Sequence, residues 1–122
     1  MRDYTSFNTF LKDNNIRVVG IGSKQAKRFS FDILDGWLDL VNNLMSDLLQ
    51  LGWNGEFFQV KEKFGRLRFY IPTGTFDMYE TINEYEKASE TICEICGKLS
   101  TLHTSPSGWI YNRCEKCFNT NL

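Results

Sequence analysis

Histidine is almost absent from this 122-residue chain, which has His103 alone. One imidazole cannot supply the general base and additional metal ligands of a small metal-dependent nuclease, and neither GxSxG nor HExxH occurs. A surplus of either charge is also missing. The 14 Lys and Arg against 15 Asp and Glu leave a net charge of -1, so global attraction to nucleic acid or anionic lipid is excluded and any electrostatic binding must come from a local patch. No segment approaches the roughly 20 consecutive apolar residues of a membrane-spanning helix, and the opening MRDYTSFNTFLKDNN has no apolar run of signal-peptide length. The expectation is a cytoplasmic protein with no membrane partner. Linker-like stretches, low-complexity segments and internal repeats are lacking too, so residues 1–122 read as a single domain.

What is present is an ample aromatic supply, ten Phe, five Tyr and three Trp, in a chain that is 42% hydrophobic, enough to build a core. Residues 1–34 are the least defined part, with a polar start and a short apolar stretch, Ile16 to Ile21, that suits a strand. The GIGSK that follows lacks the length and second glycine of a phosphate loop and reads as a strand end or turn. Asp35 to Leu51 carries Trp37, Val41, Leu44, Leu48 and Leu51 at helical spacing, with Asp35 as the expected N-cap and Gly52 as the stop. Glu56 to Pro72 alternates as two strands joined near Phe64 and Gly65, with Phe58 and Val60 on one face of the first arm. Thr75 to Ile92 reads as a second helix, opened by a capping box of Asp77 and Glu80 and striped by Tyr79, Ile82, Tyr85, Ser89 and Ile92. Its other face is acidic, as expected of a solvated surface.

The chemically specific signal is C-x2-C-x17-C-x2-C, formed by Cys93, Cys96, Cys114 and Cys117. A two-residue gap lets a tight knuckle aim two sulfurs at one ion, and two matched pairs supply the four soft ligands of a tetrahedral structural zinc. Disulfides or a redox dithiol are the alternatives; a reducing compartment disfavours the first, and the second has no use for a second pair. Between the pairs, Leu99 to His103 and Trp109 to Arg113 flank the turn residues of SPSG, so knuckle, hairpin and a second CxxC opening a terminal helix describe a treble clef, a zinc-binding subdomain over 93–122. Trp109 is expected to cover the metal side of that hairpin, with Lys98, Arg113 and Lys116 offsetting thiolate charge. His103 is expected on the surface or packed in the hairpin. With all four cysteines on the metal, none remains as a nucleophile, and the site has no open position for catalysis. The fold class is therefore α+β: an amphipathic helix, a basic β-hairpin, a second helix and a C-terminal treble-clef-like zinc module.

Lys61, Lys63, Arg66 and Arg68, with Glu62 among them, give a local charge of about +3 over residues 61–68. Aromatics interleave with these cations, Tyr70 included, a mixture that suits phosphate contact plus stacking; a charged edge hairpin kept soluble by its cations is the plainer reading. Lys24, Lys27 and Arg28 extend the patch if the N-terminal segment folds alongside. The order VKEKFGRLRFY, a helix with Ala88 and Ser89, CEICG, then Gly108-Trp109 before the last cysteine pair resembles small bacterial and phage-type proteins that carry KEKFGxLRFY ahead of a cysteine knuckle. The resemblance spans about Gly36 to Cys117 and implies an accessory protein of phage or mobile-element character. The expectation that follows is not an enzyme but an interaction protein. Such a protein would inhibit a nucleic-acid-handling protein partner, for example as an anti-CRISPR or immunity factor. Direct nucleic-acid binding through the basic hairpin is the alternative. Nothing in the sequence sets an oligomeric state.

Overall fold

A computed structural model describes residues 4–20 and 31–120. Helix α1, Thr5–Asp13, occupies the stretch expected to be only a polar lead-in. Three apolar side chains, Phe7, Phe10 and Leu11, pack against the core, and Phe7 meets Phe31 edge-on at 5.5 Å. A helix this short is marginal alone, so its existence rests on that docked stripe. The helix ends in a Schellman motif: Asn15 takes φ 54°, its N–H donates to the Lys12 carbonyl, and the Ile16 N–H reaches the Leu11 carbonyl at 2.9 Å. Strand β1, Arg17–Val18, then pairs in parallel with β3, Glu56–Phe57. The rest of the GIGSK stretch and the cations at 24, 27 and 28 lie outside the described residues.

A 3-10 turn, Asp35–Trp37, precedes helix α2, Leu38–Gln50. Asp35 therefore does not cap the helix as expected; it begins the turn, and its carboxylate accepts the Tyr4 hydroxyl. Leu38, Val41, Leu44, Met45 and Leu48 are buried on one stripe, and Trp37 is fully buried at its head, whereas Leu51 falls past the last turn and stays exposed. Gly52 ends the helix at φ 97° in a second Schellman motif that brings the buried Trp53 N–H onto the Leu48 carbonyl.

Strands β4, Gln59–Lys63, and β5, Arg66–Tyr70, form the expected hairpin, and β2, Phe31–Asp32, joins β4 in parallel to give the order β2-β4-β5. Phe58 and Gln59 both fall opposite Tyr70: the Phe58 N–H donates to the Tyr70 carbonyl while Gln59 pairs with it in register. This bulge shifts the alternation by one residue. Phe57 consequently shares the buried face with Val60, Leu67, Phe69 and Ile71, and Phe58 faces outward, the reverse of the expected parity.

Helix α3, Phe76–Ala88, is capped by Thr75, whose hydroxyl accepts the Met78 N–H at 3.2 Å, so the cap is Thr75 and not the Asp77–Glu80 box. Met78 and Ile82 are its buried residues, Tyr85 packs against the core, and Tyr79 is exposed. The acidic face does more than meet solvent. The helix lies along the open edge of β5, where the Glu86 carboxylate accepts the Phe69 N–H and the Ser89 hydroxyl accepts the Leu67 N–H, each at 2.9 Å. Two edge donors that a bare strand would leave unpaired are thus satisfied by side chains. A 3-10 turn, Ser89–Thr91, leads into the cysteine region, where hairpin β6–β7, Thr101–Thr104 and Ile110–Arg113, precedes helix α4, Glu115–Thr120. No helix among the described residues is long and apolar enough to cross a membrane.

Candidate metal centre and hairpin surface

The β6–β7 hairpin and the start of α4 bring both CxxC pairs to one point. All four Sγ atoms lie within 4.8 Å of one another, with Cys93 and Cys117 buried, Cys114 half-buried and Cys96 exposed. Cys96 and Cys114 sulfurs are 3.6 Å apart, far beyond the ~2.05 Å of a disulfide and close to the edge of about 3.8 Å in a metal–thiolate tetrahedron with 2.3 Å bonds. Four cysteines so placed can hold a metal ion.

Two of the thiols differ sharply in acidity. Burial raises Cys93, but backbone N–H groups of Cys114, Cys96 and Ile95 outweigh it and bring the thiol down to about 7. Burial first, then the surrounding cysteine sulfurs, push Cys117 up to about 12. Four crowded thiols cannot all ionise without a cation, and a divalent ion supplies the charge that makes four thiolates compatible.

Two dense contacts tie this cluster to the sheet and helices. Gly36 lies so close to the knuckle that a Cβ there would sit 2.1 Å from the Cys93 carbonyl oxygen. Its N–H donates to the Glu94 carbonyl at 2.9 Å, and the Trp37 indole N–H donates to the Ile92 carbonyl at 2.8 Å. The second contact is Asn112, fully buried on β7. Its amide donates to the carbonyls of Gly65, in the first hairpin turn, and Ser89, at 2.8 and 2.6 Å, and its side-chain oxygen accepts the Ser100 hydroxyl. Its main chain exchanges two bonds with Glu94: the Asn112 N–H donates to the Glu94 carboxylate, and the Glu94 N–H to the Asn112 carbonyl. Burial raises the Glu94 carboxyl above its ordinary value.

Trp109 does not cover the metal side. It is 63% exposed and, with Glu62, Lys63, Phe64, Gly108 and Ile110, lines a cleft of about 210 Å³ between the two hairpin turns. The aromatic cover of the cysteine hairpin is instead His103 stacked on Phe118 at 4.4 Å, with Tyr111 at 6.2 Å from the same ring; His103 Nε2 also meets the Arg113 carbonyl. Arg113 lies over the Tyr111 ring, and the Lys98 side chain is exposed.

On the basic hairpin, Lys61 pairs with Arg68 and Lys63 with Arg66, which puts the four cations on one face together with Tyr70. Arg66 is drawn to Glu90 at 3.4 Å and to Asn83 on α3. Lys61, Lys63 and Arg68 form no ion pair among the described residues. No local pattern gives Asn112 a structural role, because its importance arises from contacts across 23 and 47 positions. Gly36 enters the sequence pattern only as the first residue of a GW dipeptide, which is the one signal available for it. Comparison with family models, with curated proteins and with solved structures returned no match.

Proposed function

We propose that Cys93, Cys96, Cys114 and Cys117 hold a structural zinc in a treble-clef-like module, and that the chain is a non-enzymatic interaction protein of phage or mobile-element type. On this reading it inhibits a nucleic-acid-handling partner, as an anti-defence factor such as an anti-CRISPR or as an immunity protein, and works in the cytoplasm, where thiols stay reduced. The observation that carries it is the closed donor set: four sulfurs within 4.8 Å of one another saturate a tetrahedral ion, so the metal stabilises and has no position left for substrate water. Bound zinc would supply rigidity and cross-linking of the tail, with Gly36 and Asn112 passing that rigidity to the hairpin. Charge separation between hairpin and α3 is smaller than the sequence implies, because Glu86 and Glu90 are engaged with β5. Asp77, Glu80 and Glu84 remain the exposed acidic set. Metal analysis of gently purified protein tests the first half: about one zinc per chain, with melting lowered by chelator, is expected, and freely titrating thiols with chelator-insensitive melting refute it. Capture from host lysate at moderate salt tests the second, which fails if no stoichiometric protein is retained.

Direct nucleic-acid binding is the second reading, supported by Lys61, Lys63 and Arg68 on one face without ion-pair partners among the described residues. It predicts affinity that falls steeply with salt.

A further inference from the structure

The turn that joins β4 to β5 places Phe64 at φ 56° and Gly65 at φ 79°, the geometry of a two-residue type I′ hairpin turn. The first position of that turn favours Asn, Asp or Gly, and a bulky aromatic with positive φ is an outlier. Core packing does not account for the choice, since Phe64 is 65% exposed. A strained, exposed ring on a rigid hairpin is a reason to look for a contact outside the chain. Trp109 stands across the cleft and is exposed to nearly the same degree, whereas Trp37 and Trp53 are buried.

The two turns are fixed relative to one another. Asn112 donates to the Gly65 carbonyl, and Leu102 and Ile110 press so closely on Gly65 that a Cβ there would lie 2.6 Å from a Leu102 methyl and 3.3 Å from an Ile110 methyl. The cleft of about 210 Å³ is therefore preformed and suits one planar ring system. Lys63 has its ammonium 5.8 Å from the Phe64 ring centroid, and Lys61 and Arg68 continue on the same face of the hairpin. Two acidic groups stand near. The Glu62 carboxylate is engaged by the Gly65 N–H, and Asp32 pairs in register beside Lys61.

We infer that this cleft is a stacking site for single-stranded nucleic acid, with Phe64 and Trp109 contacting a base and Lys63, Lys61 and Arg68 contacting successive phosphates. This rests on the reading of the basic hairpin as a nucleic-acid surface. An apolar protein side chain would satisfy the rings but not the line of cations leading away from them. A strand that alternates flat rings with regularly spaced anions satisfies both. Lys61 and Lys63 are two residues apart on one strand, about 6.7 Å, on the scale of one nucleotide step in an extended chain.

Trp109 is the exposed tryptophan, so its fluorescence reports occupancy. The full zinc-loaded chain is titrated at low salt with DNA and RNA oligonucleotides of about 12 nucleotides, single-stranded and duplex. Quenching by single strands in preference to duplex is expected, with the salt slope reduced in Lys61→Ala and Lys63→Ala. Phe64→Asn suits the positive φ, so it should weaken binding about tenfold or more while leaving the melting temperature equal or higher. Trp109→Ala should weaken binding comparably, read by anisotropy of a labelled strand. If single strands fail to bind the wild-type chain, the inference and the nucleic-acid reading both fall. If strands bind but depend only on the cations, or bind no better than duplex, the cleft assignment falls and the basic-hairpin reading stands. If Phe64→Asn and Trp109→Ala abolish capture of a protein while strands do not bind, the occupant is a protein and the inference is overturned.

Discussion

Replacing Gly36 with alanine should destabilise this protein, although alanine is the better helix-turn former. Gly36 is not among the glycines with positive φ, so its backbone accepts a side chain and the substitution isolates close approach. The added Cβ would lie 2.1 Å from the Cys93 carbonyl oxygen, 2.6 Å from the Glu94 carbonyl carbon and 2.7 Å from its oxygen. All three are main-chain atoms, so no rotamer change relieves the overlap. Neither residue is free to retreat: the Cys93 N–H is held by the Lys98 carbonyl at 2.7 Å and the Glu94 N–H by the Asn112 carbonyl at 2.9 Å. Relief requires the 3-10 turn and the knuckle to part, with loss of the bonds from Gly36 N–H to Glu94 and from the Trp37 indole to Ile92. Each such bond contributes about 1 kcal/mol, and overpacking of this kind costs about 1–3 kcal/mol. Gly-to-Ala gains of up to about 1 kcal/mol act in the opposite direction. The net is about 3 kcal/mol of lost stability, on the order of 10 °C in melting temperature for a domain of this size. Urea unfolding of metal-loaded protein measures it directly. Metal should still bind, because all four sulfurs remain. A Gly36→Ala protein as stable as wild type would refute the claim that this glycine seats the knuckle on the body.

Asn112→Ala leaves the Gly65 and Ser89 carbonyls without their donor and the Ser100 hydroxyl without its acceptor, so about 3–4 kcal/mol should be lost in urea unfolding. Asn112→Asp should be worse than alanine, because it turns a buried acceptor toward two carbonyl oxygens. Thr75→Ala should cost about 1 kcal/mol, whereas Asp77→Ala, which loses only a first-turn charge, should cost less than about 0.5 kcal/mol; an inverted order by the same assay would restore Asp77 as the cap. Burial, and then the hydrogen bond to Asp47, push the Tyr85 phenol up to about 12 from 10.0. The unfolded chain therefore releases that proton first, and stability present below pH 10 is lost as pH rises through about 12, by at most about 2 kcal/mol after allowance for partial exposure. Phenolate absorbance should reveal one late-titrating tyrosine that is absent from Tyr85→Phe.

Features set by local rules are legible in the sequence alone. Gly52 after a run of apolar residues at helical spacing marks a helix end, because a left-handed residue is needed to close it. Gly65 between alternating strands marks a hairpin turn, although Phe64 beside it is not a residue that turn favours. Matched CxxC pairs mark a shared ion site, and the four sulfurs do converge. Sequence patterns mislead where two local signals compete or where a single residue shifts a register. Thr75 and Asp77 are both good cap residues, and only the chain direction entering α3 selects Thr75. One bulge opposite Tyr70 exchanges the faces of Phe57 and Phe58. The apolar residues of helix α1, Phe7, Phe10 and Leu11, do fall at helical spacing, but a helix of 9 residues is marginal alone and becomes fixed only when Phe31 and the core stand against that stripe.

The amino-acid order by itself thus determined the two helices that flank the first hairpin, that hairpin, the knuckle, and which four side chains meet at sulfur distance, since these follow from periodicity, backbone freedom and ligand spacing over a few residues. Only the tertiary structure decided how the knuckle is seated, why residue 36 has no side chain, why a buried amide stands at 112, and that Phe64 and Trp109 face one another across a preformed cleft. Those depend on atoms brought together from positions tens of residues apart, where excluded volume and the need to satisfy every buried polar group act between segments that share no local pattern.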